Sequence, residues 1–179
     1  MEPTIRRVRG LDVPPVHQIL LACGLDLKER FGLSHWMSPI YPLESMLKDA
    51  VELEVYALTL GEDFVGTFTL ETTSIAPLSY VNYGNIYWQV KDAPAVYVHK
   101  LAVLPASQGQ GLGTWCLRII EKLAAERDCC AVRLDAVKTH SKLLSFYENR
   151  GYQRVGELIY NSDVWVDAFV FEKALGWNR

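Results

Sequence analysis

Val103-Leu104-Pro105-Ala106-Ser107-Gln108-Gly109-Gln110-Gly111-Leu112-Gly113-Thr114 is the stretch that decides how this chain is read. An apolar, strand-like run, Val96 to Val103, leads into it, and an amphipathic run, Leu112 to Leu123, leads out. A strand, a loop with three glycines and a helix start together make a site for an anion. Glycine lets the backbone approach a phosphate, and the unpaired N–H groups of a helix's first turn point at it.

Three glycine patterns separate the phosphate ligands such a loop can serve. A P-loop needs Gly-x4-Gly-Lys-Ser/Thr, and no lysine follows these glycines. A dinucleotide fingerprint needs Gly-x-Gly-x-x-Gly; Gly109 and Gly111 fit, but Thr114 holds the third place. Nor does an acidic residue end a second strand about 20 positions further on, as a dinucleotide site requires. Gln/Arg-x-x-Gly-x-Gly/Ala does fit, through Gln108, Gly111 and Gly113. That pattern resembles the coenzyme A pyrophosphate loop of the GNAT superfamily of N-acetyltransferases.

A second segment carries the same resemblance. Leu134-Asp135-Ala136-Val137-Lys138-Thr139-His140-Ser141 runs on to Phe146-Tyr147-Glu148 and Gly151-Tyr152. It is similar to the superfamily's fifth strand and following helix, in which an Asn-initiated helix carries Phe/Leu-Tyr-Glu before Gly-Phe/Tyr. Both segments occur in the family's order and at about its spacing, and together they cover Tyr97 to Tyr152.

With 179 residues the chain suits one domain with a full core, residues 1–179. Half of it is apolar and 22% is charged, ordinary for a globule. A net charge of −3 argues against a nucleic-acid surface. No apolar run approaches the ~20 residues of a membrane span, and Met1 to Arg7 lacks the apolar core of a signal peptide. A cytoplasmic location is the expectation. The cysteines, at 23, 116, 129 and 130, form no Cys-x-x-Cys and read as small buried hydrophobes; Cys129 and Cys130 are expected to enter a strand with opposite facing. The histidines, at 17, 35, 99 and 140, have no metal-ligand spacing, so no metal is expected.

Hydrophobic period and turn chemistry give the remaining elements. Thr4 to Val8 reads as a strand, followed by a helix capped by Asp12, with Pro14 and Pro15 in its first turn, ending near Cys23 before Gly24. Residues 25–41 read as irregular. Pro42 starts a second helix to Ala50, with Leu43, Met46, Leu47 and Ala50 on one face. Leu53 to Leu60 and Phe64 to Glu71 form a hairpin about Gly61 to Asp63, and residues 73–94 are a long connection that is functional or conceals further strand. Strand 96–104, helix 111–126, strand 130–137, helix 140–149 and strands 152–160 and 163–172 follow, the last two joined by a turn at Asn161 to Asp163. This order agrees with the superfamily. The resemblance implies an α/β (α+β) fold: a mixed, twisted six- to seven-stranded sheet with helices on both faces.

Acyl transfer to an amine needs a polarised carbonyl, a deprotonated amine and a proton for the leaving thiolate. By resemblance, a backbone N–H of Leu101, Ala102 or Val103 polarises the carbonyl. Gln108, Gly109, Gln110, Gly111, Leu112, Gly113 and Thr114 hold the pyrophosphate of acetyl-CoA, the cosubstrate. Tyr147 aligns with the tyrosine that protonates the thiolate; packing on the helix face of Leu143 is its structural alternative. Asp135 matches an acidic position that ribosomal-protein N-terminal acetyltransferases use as base, with glutamate there. His99 competes as base, since an imidazole titrates near 6.5, with a satisfied core histidine as its structural alternative, and Glu71 is a further candidate. Tyr97 stands where histone-type members carry a glutamate. His140 replaces the asparagine that contacts the pantetheine arm, and a plain helix-start role is equally open to it. Phe31, Trp36, Tyr41, Tyr80, Tyr83 and Trp88, with Asp26 and Glu29, are candidate walls of the acceptor site or core residues.

The resemblance therefore implies direct acetyl transfer, in a ternary complex, to an amine of a small molecule or peptide. It leaves homodimerisation open and implies neither a nucleic-acid nor a membrane partner. The alternatives are a non-catalytic acyl-CoA sensor, a transferase of a larger acyl group and, more distantly, a dinucleotide oxidoreductase.

Overall fold

The computed structural model describes residues 1–176 except 35, 37–40, 75, 78–79, 81–83 and 161–165. His35, Tyr83 and the expected turn at Asn161 to Asp163 lie outside the described residues. Among the described residues, strands β1 (Pro3–Arg7), β2 (Glu54–Leu60), β3 (Asp63–Thr73), β4 (Gly84–Ile86), β5 (Ala95–Val103), β6 (Ala131–Val137), β7 (Gln153–Tyr160) and β8 (Val166–Ala174) alternate with four α-helices. These are α1 (Val13–Phe31), α2 (Leu43–Glu52), α3 (Leu112–Ala125) and α4 (Ser141–Glu148). The eight strands are hydrogen-bonded in the order β1-β2-β3-β5-β6-β8-β7-β4. β5 and β6 are parallel, and every other pair whose register is resolved is antiparallel. The fold is thus the expected mixed α/β sheet flanked by helices. Its additional strand is β4, inside the segment left open by the sequence.

The chain divides into two compact units, Met1–Glu71 with His99–Cys116, and Thr72–Val98 with Leu117–Arg179. The core of the first gathers Val8, Val16, Leu20, Met46, Val55 and Ala102, with Trp36 and Tyr41 packed against it. α1 continues past its expected end because Gly24 serves a close approach rather than a stop. A Cβ there would lie 2.9 Å from the Trp36 carbonyl oxygen. The helix ends instead at Gly32, whose φ of 68° suits glycine, with Gly32 N–H donating to the Lys28 carbonyl and Leu33 N–H to the Leu27 carbonyl. Residues 25–31, expected to be irregular, are therefore helical. Asp12 does not cap α1 through its side chain, because it is paired with Arg6 at 2.7 Å. On α2, Met46 is buried but Leu47, at the stripe's edge, is exposed.

In the second unit, Tyr80, Tyr97, Leu158, Ala168 and Val170 form the core, with Trp88 packed on it. Arg133 and Glu172 face each other across β6 and β8 and form a buried pair at 2.9 Å. Arg133 also donates to the Tyr97 hydroxyl and the Val90 carbonyl and lies 4.0 Å over the Trp88 ring. Glu172 accepts from the Gln89 and Val90 amides. A buried ion pair is retained only where its remaining hydrogen-bonding capacity is satisfied, and here residues 88–90 of the long connection satisfy it. β4 reaches β7 because Gly156 has no side chain; a Cβ there would overlap the Asn85 carbonyl. Cys129 and Cys130 precede β6 rather than enter it, since Asp128 takes a left-handed turn (φ 55°) and Cys130 donates to the Pro94 carbonyl. All four cysteines are buried.

Candidate functional site

In the first unit, β5 delivers the glycine loop. Gly109 and Gly111 adopt φ of 78° and 80°, and both are exposed with open space where a Cβ would stand. Side chains are disfavoured there by backbone conformation, not by crowding within the protein. The first hydrogen bond of α3 runs from Trp115 N–H to the Gly111 carbonyl at 3.0 Å, so the Leu112 and Gly113 amides precede the helical ladder. Gln108 folds its amide back onto the Val103 carbonyl at 3.0 Å and clips the loop to the strand end. Leu112 is buried and anchors the first turn. Two left-handed glycines followed by a fresh helix start form a cradle of backbone donors, which fits a pyrophosphate.

β5 is itself irregular just before that loop. Lys100 has φ of 53°, a conformation that costs a non-glycine residue roughly 1–2 kcal/mol. The buried run Ala95 to Val98 ends there: His99, Lys100 and Leu101 are all half-buried, and Ala102 is buried again. Lys100 Nζ donates to Asp49 Oδ2 at 2.6 Å and sits 4.5 Å over the Tyr41 ring, whose hydroxyl donates to the same carboxylate oxygen at 2.6 Å. Burial first, then the hydrogen bond and charge of Asp49, hold the Tyr41 phenol well above its ordinary pKa. His99 Nε2 lies 3.1 Å from Glu71 Oε2, and both side chains keep partial solvent exposure.

In the second unit, Asp135 on β6 accepts a 2.7 Å hydrogen bond from the Tyr80 hydroxyl. Tyr80 is only 2% exposed and edge-on to Tyr97, so this candidate acceptor-wall residue is a core tyrosine. Tyr147, 4% exposed on α4, packs its ring among Phe146, Tyr152 and Phe171. Burial, and secondarily the Asp135 charge, push its phenol far up from the ordinary tyrosine range. Tyr80 donates to Asp135, Tyr97 accepts from Arg133 and Tyr152 donates to Glu121. Tyr147 is held instead by its ring contacts, with Asp135 the charge that acts on its phenol. His140 caps α4, its Nδ1 accepting from Leu143 N–H at 3.3 Å.

The residues expected from sequence thus divide between the units. His99, Leu101 to Val103 and Gln108 to Thr114 belong to one; Asp135, His140 and Tyr147 belong to the other. Within them, the structure pairs His99 with Glu71 and bonds Asp135 to Tyr80, with the Asp135 charge also acting on Tyr147. Sequence reasoning missed the Tyr80 contact to Asp135, 55 residues away, and the Lys100–Asp49–Tyr41 cluster. A local pattern carries no signal for either. Among the described residues, no three His, Cys, Asp or Glu side chains converge to hold a metal ion, and no helix is long and apolar enough to cross a membrane.

Residues 31–152 match the sequence model of the acetyltransferase (GNAT) family. No curated protein matches the chain by sequence. Solved structures share its fold at low identity. A GCN5-related N-acetyltransferase from Rhodopseudomonas palustris superposes with a TM-score of 0.72 at 18% identity, covering 98% of this chain and 97% of the other. The PaiA N-acetyltransferase of Thermoplasma acidophilum, solved with coenzyme A, gives 0.69 at 16% identity over 98% and 100%. The ribosomal-protein-S18-alanine N-acetyltransferase of Escherichia coli gives 0.66 at 15% identity over 99% of each chain.

Proposed function

Because the chain belongs to the GNAT family of acetyltransferases, and is thereby an acetyl-CoA-dependent acyltransferase, we propose that it passes the acetyl group directly to an amine in a ternary complex. In this reading residues 1–179 act as one N-acyltransferase domain in the cytoplasm, a location its buried thiols suit. The acceptor is the amine of a small molecule or a peptide; among proteins of the same fold, the S18-alanine enzyme's name gives a protein alanine as acceptor.

Acetyl-CoA brings an activated thioester, and the chain's own groups do the rest. The Gly109–Gly113 backbone and the first turn of α3 bind the pyrophosphate, with Gln108 holding the loop in shape. A backbone N–H among Leu101, Ala102 and Val103 polarises the thioester carbonyl, a contribution of preorganised donors that grows where water is excluded. His140, whose Nδ1 accepts from Leu143 N–H at the helix cap, stands at the position assigned to the pantetheine arm.

The single observation that carries the reading is the Tyr147 hydroxyl. It belongs to a side chain only 4% exposed, and burial together with the Asp135 charge keeps it protonated. Such a phenol can donate to a departing sulfur. A thiol titrates near 8.5, so full transfer from a phenol with a raised pKa runs uphill. Tyr147 then acts by hydrogen-bonding the thiolate as it forms.

For the amine's proton, His99 backed by Glu71 is the better-supported base. The carboxylate orients the imidazole and stabilises it once charged, the arrangement used in hydrolytic triads. Asp135 already has one oxygen engaged by Tyr80, and its charge favours the protonated form of Tyr147.

The test is a panel of polyamines, amino acids, flat aromatic amines and peptide N-termini, incubated with acetyl-, succinyl- and long-chain CoA thioesters. Free thiol and acylated product are followed together. Equal formation of thiol and N-acetyl product with at least one amine is the expected result. Thioester binding without turnover would make the protein a sensor, and preference for a longer chain would make it a different acyltransferase.

A further inference from the structure

We infer that Asp49 and Tyr41 lock Lys100 in its left-handed conformation, and that this lock aims the β5 amides of Leu101 to Val103 at the thioester carbonyl. The inference rests on the transfer reading for those amides and goes beyond it by assigning the residues that position them.

Among the described residues, three that are not glycine have positive φ: Asp92, Asp128 and Lys100. Aspartate tolerates that region because its short side chain can bond locally, and both aspartates lie in bends or turns between regular elements. Lys100 lies inside a strand and has no such local device. Its compensation must come from tertiary contacts, and the structure supplies two on one carboxylate. Lys100 Nζ and the Tyr41 hydroxyl both donate to Asp49 Oδ2 at 2.6 Å, and the ammonium stands 4.5 Å over the Tyr41 ring. Tyr41 is in turn tied to α1, its carbonyl 3.0 Å from His17 Nε2. Beyond the kink, β5 is caught again by β3: Leu104 N–H donates to the Val65 carbonyl at 2.8 Å, and the Ala102 carbonyl rests where a Cβ on Gly66 would stand. The kink is thus held from both sides. A residue with φ near +53° turns the following peptide planes relative to a regular strand. The direction of the Leu101 to Val103 amides therefore depends on keeping that torsion.

The lock predicts a specific rescue. Lys100→Met keeps the stem and the Cβ but removes the ammonium, so the strand relaxes toward ordinary extended torsions. Lys100→Gly removes the ammonium too, yet glycine holds positive φ without a tether. With the best amine of the panel, K100M is expected to lose about tenfold or more in kcat, with the KM for acetyl-CoA little changed, because misaimed donors weaken stabilisation of the reacting carbonyl. K100G recovers most of that loss. Asp49→Asn behaves like K100M, and the D49N/K100G double variant behaves like K100G. Backbone NMR shifts at residue 100 in the ligand-free protein report the torsion independently of activity: left-handed in wild type and K100G, extended in K100M. A K100G variant as impaired as K100M would show that the ammonium itself is required and would overturn the lock. Retention of both kcat and the left-handed shifts in K100M would overturn it equally. Should wild type acetylate no amine, the transfer reading falls, and the torsion in K100M still decides whether Asp49 and Tyr41 hold the kink.

Discussion

Glu71 on β3 and Asp135 on β6 are both half-buried strand carboxylates, and the molecule gives them opposite partners. Glu71 meets an imidazole, His99, at 3.1 Å, and that pair keeps some solvent exposure. Asp135 meets a phenol, Tyr80, at 2.7 Å, and its charge falls on a second phenol, Tyr147, whose pKa it raises. A carboxylate beside a base helps that base take up a proton; a carboxylate beside phenols keeps their protons on. The contrast teaches that one functional group, the carboxylate, serves two directions of proton traffic, set by the neighbour. On this account the amine's proton leaves through His99 and Glu71, and Tyr147 serves the thiolate.

The phenol half of the contrast gives the largest expected effect. Tyr147→Phe keeps the ring packed against Phe171 and Tyr152 and is expected to lower kcat about 10²-fold, the lower end of the range for proton-transfer catalysis. Acetyl-CoA affinity by titration calorimetry should change little. A variant within a few-fold of wild-type turnover would reduce Tyr147 to packing and dissolve the contrast.

The glycine loop belongs to neither half, which makes it a control. Gly111→Val forces a branched side chain onto a φ of 80° and is expected to weaken acetyl-CoA binding by about tenfold or more, a cost of the size set by backbone strain. The circular dichroism of the folded variant should match wild type. Unchanged affinity would show that this loop is not the phosphate cradle.

A smaller effect isolates the field of Asp135. The folded Tyr147 phenol holds its proton more tightly than an unfolded one, which titrates near 10. Its contribution to stability is complete below that pH and is lost as pH rises through and beyond it. Burial is the larger cause and Asp135 the second, so Asp135→Asn should narrow the loss. Urea unfolding at about pH 8 and about pH 11, on either side of the free-phenol value, should show a smaller decline for D135N than for wild type. Cys23 and Cys116, both pushed up to about 12 chiefly by burial, decline alike in the two proteins and cancel. An identical decline in both would mean that Asp135 does not act on Tyr147.

The sequence made the left-handed glycine loop, the order of elements and the helix bearing Tyr147 legible because each is local. Gly109 and Gly111 announce left-handed turns, and period separates strands from helices. It misread Gly24 as a helix end because the reason for that glycine, the Trp36 backbone, lies 12 positions away. Residues 73–94 were legible only as a connection that is functional or conceals further strand, since Tyr80 and the amides of Gln89 and Val90 are placed by Asp135 and Glu172, far along the chain. The kink at Lys100 was invisible for the converse reason: nothing about a lysine in an apolar strand suggests positive φ until Asp49 and Tyr41 are in place. The two carboxylates were both named from sequence, but only their partners distinguish their roles.

The division of proton traffic is tested most directly by the pH dependence of kcat/KM for wild type, His99→Gln and Asp135→Asn with one primary amine. Such an amine, with a pKa of about 10, is almost wholly protonated at neutral pH, and less of its deprotonation depends on the enzyme as pH rises. The account predicts that H99Q is impaired about tenfold or more near neutrality and that its deficit closes as pH climbs toward the amine's pKa. D135N should be impaired by a roughly constant factor across the same range. A deficit that closes with pH in D135N, and stays constant or vanishes in H99Q, would contradict the account and return the base to Asp135.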